Sequence, residues 1–108
     1  MSATGPRDTG MIRVVYQWQV KPDDIAAFRE TWKQTTTAIH ESVAGARGSF
    51  LLQEVGDAGS ILTVALWDSF ESWQAFWKSE NPPEMSRMRE LGERVAVTAY
   101  DQFADYTV

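Results

Sequence analysis

ILTVALWDSFESWQAFW, residues 61–77, changes period halfway along. Its first half is an apolar run of strand length. Its second half places Phe70, Trp73, Phe76 and Trp77 at helical spacing. Between them, Asp68 is positioned to cap the first turn of a helix, and Glu71, three residues on, to reach back. The stretch therefore predicts a strand, a sharp corner and a helix, with Trp67 at the strand end. Side chains alternate along a strand, so Ile61, Thr63 and Ala65 share Trp67's face. Thr63 and Ala65 are small. An indole beside two small side chains leaves either a gap or a place for something else to pack.

On the N-terminal side, Met11–Val20 alternates. Ile12, Val14, Tyr16, Trp18 and Val20 take one face, and Arg13, Val15, Gln17 and Gln19 the other, so this is a strand. Lys21-Pro22-Asp23-Asp24 opens a helix, with Pro and acids in the first turn. Ile25, Phe28, Trp32, Thr36, Ile39 and Val43 then form one stripe, and Gly45 stops it. Ser49–Val55 reads as the second strand, residues 56–59 as a hairpin loop, and Ser60–Trp67 as the third strand. Beyond the Phe70–Lys78 helix, residues 79–83 break the pattern. A short helix is expected over Glu84–Arg94, with Met85, Met88 and Leu91 inward, then a fourth strand over Val95–Phe103 and a tail. Met1–Gly10 is small and polar and is expected to be a flexible arm. Residues 11–108 then form a single domain of α+β class. It is a ferredoxin-like βαββαβ arrangement on a four-stranded antiparallel sheet.

Composition narrows the chemistry. The 108 residues suffice for one domain, and 44% are hydrophobic, with five Trp and five Phe. There is no Cys, which removes disulfides, thiolate metal sites and a Cys nucleophile. A single His rules out a multi-histidine metal site within one chain but leaves a carboxylate site open, and no metal is expected. The net charge of -5 argues against nucleic acid and against an electrostatic membrane anchor. No signal-peptide core or membrane-length apolar run is visible, so a cytoplasmic protein is expected.

A ferredoxin-like sheet carries helices on one face only. If Trp67 looks toward them, Leu62, Val64 and Leu66 are left wet on the other side. An apolar face of that size is seldom left exposed. The expectation is a homodimer through the sheet faces, related by a two-fold axis.

Several segments carry a family likeness: the strand ending in Val20-Lys21-Pro22, the Gly45–Phe50 segment, Trp67 followed by Asp68-Ser69, and the helix bearing Trp73, Phe76 and Trp77. Together they resemble the antibiotic biosynthesis monooxygenase family of dimeric α+β barrels, from about Met11 to the C-terminus. The resemblance implies a pocket between helices and sheet in each subunit. It also implies, for the quinone-forming oxygenases of the family, oxidation of a planar aromatic phenol by O2 with no cofactor. Such a protein needs an apolar slot, a donor for the substrate anion and a route for a proton. Trp67 matches the strand-end Trp that lines the family's pocket. The haem-degrading branch needs a His after the second helix and an Asn on the first strand. Residues 79–86 contain no His, and the first strand has Gln17 and Gln19 but no Asn, so haem binding is disfavoured.

The candidate residues follow. Trp67 forms a stacking wall, or else simply closes the strand–helix corner. Thr63 and Ala65 make room beside it. Trp73, Phe28 and Trp32 have the spacing a core requires, and an apolar site is built from the same residue types. His40, on the flank of the first helical stripe, is the default general base, or else a partly exposed helix His. Tyr16, Trp18 and Gln53 could meet a phenolate or carbonyl oxygen if they share Trp67's face. Otherwise Tyr16 and Trp18 fill the space between two sheets, and Gln53 is a polar residue at the pleat edge. Arg87, Arg89 and Arg94 read as a mixed-charge helix surface. The leading functional reading is a cofactor-independent monooxygenase, with Trp67 as the slot and His40 or Tyr16 handling the proton. The alternative is a dimer that binds a small aromatic ligand without acting on it.

Overall fold

The computed structural model describes residues 10–78 and 83–105. The expected arm up to Thr9, the helix break at residues 79–82 and the last three residues lie outside them. The elements run β1 (Ile12–Val20), a 3-10 turn (Pro22–Asp24), α1 (Ile25–Ser42), β2 (Ala46–Glu54), β3 (Asp57–Trp67), α2 (Phe70–Lys78), α3 (Pro83–Leu91) and β4 (Gly92–Asp101). The sheet is antiparallel throughout, in the order β2-β3-β1-β4. This is the expected α+β, ferredoxin-like arrangement.

Several boundaries differ from the sequence reading, and β2 already starts at Ala46, three residues before Ser49. The 56–59 loop is a two-residue turn, because Gly56 adopts φ +92 and lets Glu54 pair directly with Asp57. The α3–β4 boundary falls at Gly92, three residues before the expected strand start. Glu93 and Arg94 looked like helix surface and are strand. The cap also moves by one residue. Ser69 Oγ accepts the Ser72 backbone N–H at 3.1 Å, so Ser69 is the N-cap of α2. Asp68 instead takes the Arg47 guanidinium at 2.9 Å on the surface.

Register decides which residues face the helices. Tyr16 stands opposite Thr63, Val14 opposite Ala65 and Trp18 opposite Ile61. Directly opposed residues share a face, so Tyr16 and Trp18 lie under the helices beside Trp67. Trp67 is 2% exposed, with its ring 5.2 Å from that of Phe76 on α2. The core is a run of aromatic contacts. Trp18 meets Phe28 edge-on at 5.1 Å, and Trp73 stacks on Trp77 at 5.6 Å.

On the outer face Val64 is not wet, contrary to expectation. It is 8% exposed in a single chain, flanked in register by Val15 and Phe50. The exposed apolar surface there lies on β2 and β4 instead, with Phe50 at 44%, Leu52 at 47% and Tyr100 at 55%.

Gly45 closes the turn from α1 to β2. It adopts φ +89, and a Cβ there would stand 2.5 Å from the Ser72 Cβ of α2. Its carbonyl also accepts the Asp68 backbone N–H at 2.8 Å. Left-handed backbone and close approach both demand glycine here. Gly45→Ala should cost about 2–4 kcal/mol, read as a lower urea midpoint at unchanged slope. A midpoint equal to the parent's would mean that α2 moves aside freely.

Candidate functional site

A cavity lies between α1, α3 and the helix-facing side of the sheet. Trp67, Ala65 and Thr63 from β3 form its floor, with Tyr16 from β1. Trp32 and His40 border it from α1, and Met85 and Met88 from α3. The reason is local. Strand alternation brings Thr63, Ala65 and Trp67 to one face, and the two small residues leave a hollow beside the indole that α1 and α3 roof over. The cavity volume is about 50 Å³. One water needs roughly 10–15 Å³ on that measure, so the hollow holds a few waters.

Of the candidates named from the sequence, Trp67, Thr63, Ala65, Trp32, Tyr16 and His40 border this cavity. Two do not. Phe28 is fully buried against Trp18. Trp73 stands one layer back, and its indole N–H donates to the Tyr16 hydroxyl at 3.2 Å. Trp18 is likewise behind the wall, donating to Thr63 Oγ1 at 3.1 Å. Gln53 lies at the hairpin, where its amide donates to the Ala58 carbonyl at 2.9 Å.

The polar groups differ in kind. The Trp67 indole N–H has no acceptor among the described residues, although the side chain is buried. A buried donor without a partner costs about 1–3 kcal/mol. Tyr16 is 5% exposed. Burial raises its pKa above the ordinary tyrosine value, against the lowering effects of the Trp73 hydrogen bond and the Arg94 charge. Tyr16 is therefore a neutral phenol at physiological pH, with its proton in place and its oxygen accepting from Trp73. His40 lies at the rim and is exposed. Among the described residues no carboxylate borders the cavity. Among the described residues no three His, Asp or Glu side chains come together as a metal would require. None of the helices is long and apolar enough to cross a membrane, again among the described residues.

Arg94 sits where the sequence did not place it. β1 and β4 slip between Gln17 and Trp18, so that Ala96 pairs with Gln17 and Arg94 with Trp18. Val95 is the extra residue of this β-bulge. The slip turns Arg94 to the helix side, where its guanidinium lies 4.9 Å from the centre of the Trp77 ring. Arg87 pairs with Glu90 at 3.2 Å on the exposed side of α3.

Sequence reading missed Thr35, Ser49, Met85 and Met88 as cavity residues. The two methionines were legible as inward-facing, and Ser49 as the start of a strand. Thr35 was hidden beside Thr36, which the stripe selected instead. Thr35 is the more buried of the two.

The sequence model of the antibiotic biosynthesis monooxygenase family matches residues 11–91. No curated protein matches the chain. Among solved structures, a conserved protein from Methanosarcina mazei Go1 superposes with a TM-score of 0.71 at 19% identity, covering 89% of this chain and 96% of that one. SnoaB, a cofactor-independent oxygenase from Streptomyces nogalater, gives 0.70 at 19% identity, covering 92% and 97%. A conserved protein of unknown function from Bacteroides thetaiotaomicron gives 0.71 at 16%, covering 86% and 98%. At these identities the likeness establishes the fold alone.

Proposed function

We propose a function from one fact: this chain belongs to the antibiotic biosynthesis monooxygenase family. It is a cofactor-independent monooxygenase that oxidises a flat aromatic, polyketide-like phenol with O2 in the cavity beneath α1 and α3. The observation that carries this reading is the buried Trp67 N–H, without an acceptor among the described residues, on the wall of a mostly apolar hollow. A phenolate or enolate oxygen is the partner such a donor lacks. The oxygenase SnoaB, with the same fold, supports the reaction class.

The residues divide the work as follows. Trp67 and Trp32 hold the ring. Tyr16, kept neutral by burial, donates to the substrate oxygen as charge develops on it. His40 at the rim takes the proton that must leave before O2 reacts. Met85 and Met88, unbranched and flexible, swing aside to admit a ring larger than the resting hollow. The balance closes without an external reductant. An anthrone methylene plus O2 gives the quinone carbonyl plus one water, and the substrate supplies all four electrons.

Two sheets packed outer face to outer face complete the proposed assembly, a homodimer with one cavity per subunit. Support comes from the exposed Phe50, Leu52 and Tyr100 on that face.

The test is anthrone under 18O2. The expected result is quinone formation above autoxidation, with one labelled oxygen in the product. His40→Gln should lower kcat by about 10²-fold. A rate equal to that of the buffer control sinks the oxygenase reading. It then leaves the second reading, a non-catalytic binder of flat aromatics. One observation favours that alternative: among the described residues the only base at the cavity is an exposed rim residue, with no carboxylate behind it.

A further inference from the structure

Three of the five indoles do the same thing. Trp18 Nε1 donates to Thr63 Oγ1 at 3.1 Å, Trp32 Nε1 to Ser49 Oγ at 3.2 Å, and Trp73 Nε1 to Tyr16 Oη at 3.2 Å. All three accepting hydroxyls border the one cavity. An indole N–H can only donate, whereas a hydroxyl has one proton to give and lone pairs to receive. Each indole therefore occupies a lone pair on its hydroxyl and turns the proton away from itself. For Tyr16 the constraint is sharpest, because a phenol proton keeps to the ring plane and the indole holds one of the two in-plane positions. None of the three hydroxyl protons has an acceptor among the described residues. Thr63 and Tyr16 are only 4% and 5% exposed, so bulk water does not serve them.

We infer that Trp18, Trp32 and Trp73 are positioning residues that set Thr63, Ser49 and Tyr16 as hydrogen-bond donors into the cavity, which thereby selects planar ligands carrying acceptor oxygens and rejects amine-bearing rings of the same shape. The location of the ligand rests on the reading proposed above. The inference adds the chemical class that this site takes and the residues that impose it. With Trp67 the cavity wall offers four donor groups from three strands and, among the described residues, no carboxylate to receive a donor from the ligand. Among the described residues an amine finds no carboxylate acceptor there, and at Tyr16, whose other in-plane position the indole holds, it meets a proton and no lone pair. A ketone, enolate or phenolate oxygen replaces the water that those protons otherwise hold. Discrimination of this kind comes from the polar groups that the wrong ligand leaves unpaired.

The test uses three rings of one shape that do not react with O2 on the timescale of the titration: 9-fluorenone, fluorene and 2-aminofluorene. Calorimetric titration of the intact protein should show fluorenone binding at least tenfold tighter than the other two. Tyr16→Phe should reduce that ratio about tenfold. Trp73→Phe should reduce it by a similar factor, and the double variant should be no worse than Tyr16→Phe alone. A merely structural Trp73 predicts additive losses that weaken all three ligands equally. Ser49→Ala, at a half-buried strand position, gives the same readout if the Trp73 variant fails to fold. Equal affinities in the parent protein, or additive losses in the double variant, overturn the inference. Preference for the ketone with no quinone made from anthrone strikes the proposed reaction and leaves the inference standing. Quinone formation without ketone preference does the reverse.

Discussion

Trp67→Phe should lower kcat on an anthrone about 10–100-fold while the protein stays folded. The substitution keeps an aromatic wall and deletes only the N–H and part of the ring. A hydrogen bond to a charged oxygen contributes about 1.5–3 kcal/mol, and each 1.4 kcal/mol is roughly tenfold in rate, which sets the range. Alanine would be the wrong choice. Trp67 is buried and packed on Phe76, and truncating such a residue costs about 3–5 kcal/mol, enough to unfold a small domain. With Phe the two effects separate. The melting point should fall by a few degrees, and KM should change less than kcat, because the bond strengthens as the substrate oxygen gains charge. An unchanged kcat would remove the indole N–H from the reaction and leave Trp67 as a wall only.

What could be read without coordinates follows from which forces act locally. Alternation in Met11–Val20 and in Ile61–Trp67 was decisive because each strand has one face under helices, and burial enforces a period of two. The stripe from Ile25 to Val43 was equally plain. Trp67, Thr63 and Ala65 could be grouped because their spacing within one strand is a local fact. Tyr16 could not be added to them, since its place beside Thr63 depends on the β1–β3 register, a non-local choice. Arg94 was misplaced for the same reason. Its orientation comes from a bulge, and one extra residue inverts the face of everything beyond it. The indole-to-hydroxyl bonds were out of reach too. Trp18 and Thr63 lie 45 positions apart, and Trp73 and Tyr16 lie 57 apart. Each tryptophan taken alone reads as core, and only the pairing shows which polar group it serves.

Leu52→Asp should dissolve the proposed dimer while leaving the cavity intact. Leu52 is 47% exposed on β2 and stands in register with Leu62 of β3, which in turn faces Gln17 of β1. Phe50 stands with Val64 and Val15 in the neighbouring row. A carboxylate on this patch is well solvated in a lone subunit, so the fold should lose little. In a face-to-face pair it must be buried without a cation opposite, at a cost of several kcal/mol, and two-fold symmetry brings that cost in twice. The dissociation constant should then rise more than about 10³-fold. Light scattering at micromolar concentration should give twice 12.2 kDa for the parent protein and 12.2 kDa for the variant. The parent protein weighing in as a single chain would sink the dimer. The same variant asks a second question. Every residue assigned to the cavity comes from the helix side of one chain, so fluorenone affinity per chain should survive dissociation. If it falls along with the mass, the twin must hold the sheet in the curvature that keeps Thr63, Ala65 and Trp67 apart from the helices. The outer face would then be part of the site's architecture and not only its seal.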